Sequence, residues 1–142
     1  MAATTEIAIP RIAEPTTASL TMPAALHSAR KARTFTAQAM RRWGGAEDIV
    51  EAAVLIVCEL TTNAIRHGSG PVTLRLLLKP HALHIEVHDG SVLPPVKRTA
   101  RRDEDSGRGM LIVDALADTW SCGTAPEGGK WVRATVALRT TG

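Results

Sequence analysis

The chain has 142 residues, 44% hydrophobic and 22% charged, with a net charge of +3, which is the composition of one globular domain. Three Trp, one Phe and no Tyr leave the core to Leu, Val, Ile and Ala and offer little for stacking on exposed bases, so direct nucleic-acid binding is not expected. Two cysteines without a CxxC pair speak against a disulfide framework or zinc. No run approaches the roughly 18 apolar residues of a membrane span, and no signal peptide is visible, so a cytoplasmic protein is expected.

In chain order, residues 1–17 are rich in Ala, Thr and Pro without a sustained period and read as a flexible leader to a domain spanning 18–142. "ASLTM" (18–22) alternates weakly, an edge strand ended by Pro23. Ala24–Trp43 lacks Pro and Gly and places Leu26, Ala29, Arg33, Ala37 and Met40 near helical spacing, with Gly44-Gly45 as a stop. Glu47 and Asp48 then open a second helix. Its residues Ile49, Val50, Ala53, Val54, Val57, Leu60 and Ala64 recur at three and four, as far as His67 and a Gly68 cap.

Two strands are expected next, 71–79 and 82–89, the second alternating Leu83, Ile85 and Val87 against His84, Glu86 and His88. Residues 91–106 are charged, Pro-containing and aperiodic, a candidate lid or a disordered segment. Helical spacing returns over 107–118, followed by strands at 119–123 and 130–138 about a turn at 124–129. This order predicts an α+β fold, a two-layer sandwich with helices on one face of a mainly antiparallel mixed sheet.

Four features could carry chemistry. In "CELTTNAIRHG" (58–68), Glu59, Asn63 and His67 stand four apart on one helix face. A carboxylate there can take a proton, and an Asn carbonyl is a hard ligand suited to magnesium; a solvated stripe would look the same. Asp89-Gly90 closes a strand, where the Asp can accept from an exocyclic amine or simply make a turn. "SGRGM" (106–110) opens a helix with two glycines and Arg108, a cradle for anions or an ordinary hinge. The fourth is the segment 91–106. His81, His84 and His88 are close in sequence but lack a fourth ligand or a Cys pair for zinc.

Taken in this order, "ELTTNAIRHG" and "GRGMLIVDALADTW" resemble the GHKL (Bergerat-fold) ATPase family, and within it the anti-sigma factor serine/threonine kinases of partner-switching systems. The resemblance covers about residues 24–138. It implies ATP and Mg2+ as cofactors, Glu59 as general base and Asn63 as magnesium ligand, with Arg66 and His67 beside the phosphates. Asp89 would read the adenine amine, and Gly107, Arg108, Gly109 and Met110 would contact the phosphates. It implies a kinase whose substrate is an anti-anti-sigma factor, with a sigma factor as further partner and dimer formation as in relatives. The alternative is a non-catalytic module that sequesters a sigma factor or related regulator. Two departures stand out: the usual Asp-x-Gly-x-Gly is here Asp89-Gly90-Ser91-Val92-Leu93, and Lys130 and Trp131 occupy positions where many relatives place a Thr.

Overall fold

The computed structural model describes residues 16–91 and 105–138. The expected leader up to residue 15 and most of the expected lid, 92–104, lie outside the described residues. Five strands, β1 (Thr16–Met22), β2 (Val72–Lys79), β3 (Ala82–Asp89), β4 (Thr119–Thr124) and β5 (Lys130–Ala137), form one sheet in the order β1-β2-β3-β5-β4. Every pairing is antiparallel. Three helices, α1 (His27–Arg42), α2 (Glu47–His67) and α3 (Asp105–Leu116), complete the α+β sandwich.

Strand β1 begins two residues before the expected domain boundary, because Thr16 and Thr17 continue the ladder against Leu78 and Leu77. Pro23 follows it, and the Ser28 hydroxyl donates to the Pro23 carbonyl at 2.7 Å, so α1 starts at His27 rather than at Ala24. Helix α1 buries Ser28, Ala32, Thr36, Ala39 and Met40. The buried Thr36 hydroxyl is satisfied by the Ala32 carbonyl at 2.8 Å. At its end Gly45 N–H donates to Met40 O and Gly44 N–H to Arg41 O, with Gly44 at φ 81°. This is a Schellman stop, which needs a left-handed residue where glycine stands.

Helix α2 carries Glu47 and Asp48 in its first turn and Arg66 and His67 in its last, matching its dipole. Its apolar side, Val50, Ala53, Ile56, Val57, Leu60 and Ala64, lies on the core. The sheet answers with Val72, Leu74, Leu76 and Leu78 of β2 and Leu83, Ile85 and Val87 of β3, all buried. Each fully buried Leu or Ile contributes about 1.5–3 kcal/mol relative to exposure. Helix α3 begins at Asp105, two residues before the expected start, and ends two before the expected end. Its Asp114 carboxylate accepts the Trp120 indole N–H, which fastens β4 to α3.

The opposite face of the sheet has no helix over it among the described residues and is built from polar pairs. Glu86, on the central strand β3, sits across from Arg75 of β2 and from Arg133 of β5. Its carboxylate accepts from Arg75 at 3.4 Å, from His88 at 3.1 Å and from Arg133 Nε at 2.7 Å, and Glu86 is 5% exposed. His84 bonds Thr135 at 2.9 Å. Burial alone would push the Glu86 pKa up; the hydrogen bonds from His88 and Arg133 and the charges of Arg133 and Arg75 outweigh it and hold the group low.

Burial, and then the charges of Arg133 and Lys79, lower the His84 pKa against the opposing pull of Glu86. Both shifts act in one direction on stability. Glu86 contributes fully above the ordinary carboxylate value of 4.5, and that contribution is lost as pH falls through its lowered folded value. His84 favours the neutral ring, so stability declines as pH drops below 6.5 towards its lowered value. Thermal melts from pH 7 downward are expected to show a falling Tm. Glu86→Gln should cost about 2 kcal/mol at pH 7, a figure held down by the part-exposed arginines, and should flatten the acid limb. An unchanged Tm in the variant would disprove the role given to this carboxylate.

Candidate functional site

The polar row on α2 emerges from the helical period. Burying Ile56, Val57, Leu60 and Ala64 turns Glu59 and Asn63 sideways, where both are half-buried, while Arg66 and His67 reach the exposed last turn. Helix α3 packs alongside: the Asn63 side-chain N–H donates to the Met110 sulfur at 3.5 Å. A thioether is a weak acceptor, so the Asn63 N–H is held only weakly, and the contact leaves its side-chain carbonyl unengaged. Glu59 makes no hydrogen bond or ion pair with another described residue. Gly107, Arg108 and Gly109 fall in the first turns of α3, just ahead of Met110.

Asp89 ends β3 at the far end of α2. It is 8% exposed, and its Oδ1 accepts the Ser91 N–H at 2.7 Å. The turn that an Asp-Gly pair suggests is therefore present, and it fixes the carboxylate. The end of α2 closes on it. Gly68 caps α2 through its N–H to Ala64 O, and the next residue, Ser69, accepts the Gly90 N–H at 2.7 Å. A Cβ at Gly68 would lie 2.6 Å from Asp89 Oδ2, and one at Gly129 would lie 2.5 Å from the Asp89 carbonyl. Both glycines leave space that the Asp89 carboxyl and backbone use. Lys130, first residue of β5 and opposite Asp89 in register, brings its Nζ to 4.0 Å from Asp89 Oδ2.

The structure thus brings Asp89 against the C-terminal end of α2 and Met110 against Asn63, so residues from three separate stretches border one region. Of the stripe, Glu59 and Asn63 are half-buried and Asn63 lies against Met110, while His67 is exposed. The roles of Gly68, Gly129 and Lys130 around Asp89 escape a reading of the sequence alone. The one signal for them is glycine placed at a helix end and again just before the last strand. His84 and His88 project from the other face of the sheet and are engaged by Thr135 and Glu86. Among the described residues no group of three or more His, Cys, Asp or Glu converges as a metal cluster. An open groove lined by Arg30, Arg33, Ala37, Val50, Val54 and Leu55 runs between α1 and α2, separate from Asp89.

The helices and the five-stranded antiparallel sheet make an α+β sandwich of the ATPase-domain class. The chain belongs to the histidine kinase-like ATPase domain family, whose model matches residues 22–136. Among solved structures it is similar to the crystal structure of the RsbU and RsbW domains of Rv1364c from Mycobacterium tuberculosis, with a TM-score of 0.64 and 17% identity. That match covers 87% of this chain but 32% of the other, so this chain spans about a third of the protein it resembles. A search of curated proteins finds no significant match. No helix among the described residues is long and apolar enough to cross a membrane.

Proposed function

We propose that the chain binds ATP with Mg2+ and acts as an anti-sigma-factor-type serine/threonine kinase, in the cytoplasm, on an anti-anti-sigma partner. The observation that carries this reading is the meeting of Asn63, Met110 and the Gly68–Asp89 contact around one end of α2, in a member of an ATPase-domain family. The fold shared with about a third of that solved chain supports the ATPase-domain part of this reading, and the anti-sigma direction rests on the resemblance of "ELTTNAIRHG" and "GRGMLIVDALADTW".

The residues present suit the nucleotide. Asp89 is held by Ser91 as an acceptor for an exocyclic amine. Asn63 offers its side-chain carbonyl for magnesium, while its amide N–H is the group that Met110 accepts from. Gly107, Arg108 and Gly109, in the first turns of α3, with Arg66 and His67, would supply N–H groups and positive charge for phosphates. ATP supplies the transferable phosphoryl group. Glu59 would accept the proton of the attacking hydroxyl, which is the main chemical task left to the protein when catalysis is largely positioning and charge neutralisation. A sigma factor is the second partner in this reading, and two copies would form the working dimer.

Calorimetric titration with ATP, with and without magnesium, tests the reading. Saturable binding that strengthens with magnesium is expected, followed by transfer of labelled γ-phosphate to an anti-anti-sigma protein. No heat at millimolar ATP would refute it and favour the module that sequesters its partner without chemistry.

A further inference from the structure

Helix α1 carries Arg30, Lys31, Arg33, Arg41 and Arg42 and no Asp or Glu. A solvated helix ordinarily mixes the two signs, because opposite charges one turn apart support it. Arg30 stands at the end of the first turn, where the helix dipole disfavours a cation; α2 places Glu47 and Asp48 in its first turn instead. Arg41 is answered by Glu47 at 3.1 Å. Arg30 and Arg33 make no hydrogen bond or ion pair with another described residue. The stability of the helix therefore does not account for these two cations.

Both border the open groove between α1 and α2, whose volume is about 550 Å³. Its apolar lining grades outward: Val50 is 1% exposed, Ala37 and Val54 are half-buried, and Leu55 is 49% exposed. The period that buries Val50, Ala53 and Val57 turns Leu55 away from the core, so core packing does not call for a leucine there. Glu51 is the one acidic side chain in the lining, against Arg30 and Arg33. The groove is thus an apolar trough with a net positive rim. Nucleic acid would use the arginines but leave the trough empty, and no aromatic side chain lines it for base stacking. A protein segment can supply both an aliphatic side chain and carboxylates one turn apart, the spacing of Arg30 and Arg33.

We propose that the groove between α1 and α2 docks an acidic amphipathic segment of a partner protein. An aliphatic side chain of that segment seats against Val54 and Leu55, while its flanking carboxylates pair with Arg30 and Arg33. The groove is separate from Asp89, and docking there needs no bound nucleotide.

The test selects a displayed library of random peptides on the full chain and measures the recovered peptides by fluorescence anisotropy. Recovered sequences are expected to place Asp or Glu within one helical turn of Leu, Ile or Met, and to bind less tightly as added salt screens the arginines. Leu55→Ser should weaken them by about tenfold, the loss of one seated aliphatic contact. The double variant Arg30→Glu, Arg33→Glu should lose them by at least as much. It should bind the same peptides remade with Lys for every Asp and Glu, which also shows that the variant is folded. Recovered peptides that are basic or lack an aliphatic residue overturn the proposal, as does a library that yields no binder. Acidic peptides that bind Leu55→Ser and the double variant as tightly as wild type sit elsewhere and overturn it too. A duplex DNA probe that displaces the peptides and binds Leu55→Ser at full strength would make α1 a polyanion surface, again overturning it.

Discussion

Glu59→Ala is expected to leave ATP affinity within about twofold of wild type and to slow phosphoryl transfer by about 100- to 10,000-fold, the range for loss of a positioned general base. The structure makes this a clean substitution. Glu59 is half-buried on the side of α2 and makes no hydrogen bond or ion pair with another described residue. Its removal leaves no buried group without a partner, so the cost to stability should stay within about 0.5 kcal/mol. Glu59→Gln keeps the shape, removes the basic oxygen and should be as slow as the alanine variant. Single-turnover transfer measured beside calorimetric affinity separates the two effects. Transfer by either variant at the wild-type rate would remove Glu59 from the chemistry.

Asn63→Ala should act one turn further along the same helix and in the opposite sense, on binding rather than on the chemical step. A contact between a neutral ligand and a charged centre is worth about 1.5–3 kcal/mol. Affinity measured with magnesium should accordingly fall by about 10- to 150-fold. Affinity without magnesium should hardly change, so that the variant no longer distinguishes the two conditions. Little else is disturbed among the described residues, where the amide gives up its bond to the Met110 sulfur. An Asn63→Ala protein that still binds more tightly with magnesium would show that another group holds the ion.

The elements that the sequence predicted best are those with an unbroken period. Helix α2 follows from apolar residues at three and four between Glu47 and His67, and β3 from Leu83, Ile85 and Val87 in alternation, and both end where expected. Boundaries set by contacts elsewhere were less legible. Thr16 and Thr17 join β1 because Leu78 and Leu77 lie opposite, and the start of α1 depends on the hydrogen bond from Ser28 to Pro23. For the site, the spacing of Glu59 and Asn63 could be read directly because four residues make a turn. The enclosure of Asp89 could not, since Gly68, Gly129 and Lys130 meet it only through the pairing of β3 with β5 and the return of the chain after α2. The Glu86 cluster was hidden for the same reason: Arg75 and Arg133 lie far from it along the chain and directly opposite it in register.

That cluster also governs how the outer face of the sheet can drift over evolutionary time. Loss of Glu86 alone would leave Arg75 and Arg133 flanking the central strand with no anion between them. Loss of either arginine alone would leave a carboxylate that is 5% exposed only partly compensated. Single steps at these positions are therefore costly, while a joint exchange of all three for threonine or valine is tolerable on a pleated surface. Substitutions that share a partner do not add independently. Descendants of this chain should retain the Arg75–Glu86–Arg133 row whole or replace it whole, whereas exposed Thr17 and Ser19 on the edge strand are free to change one at a time.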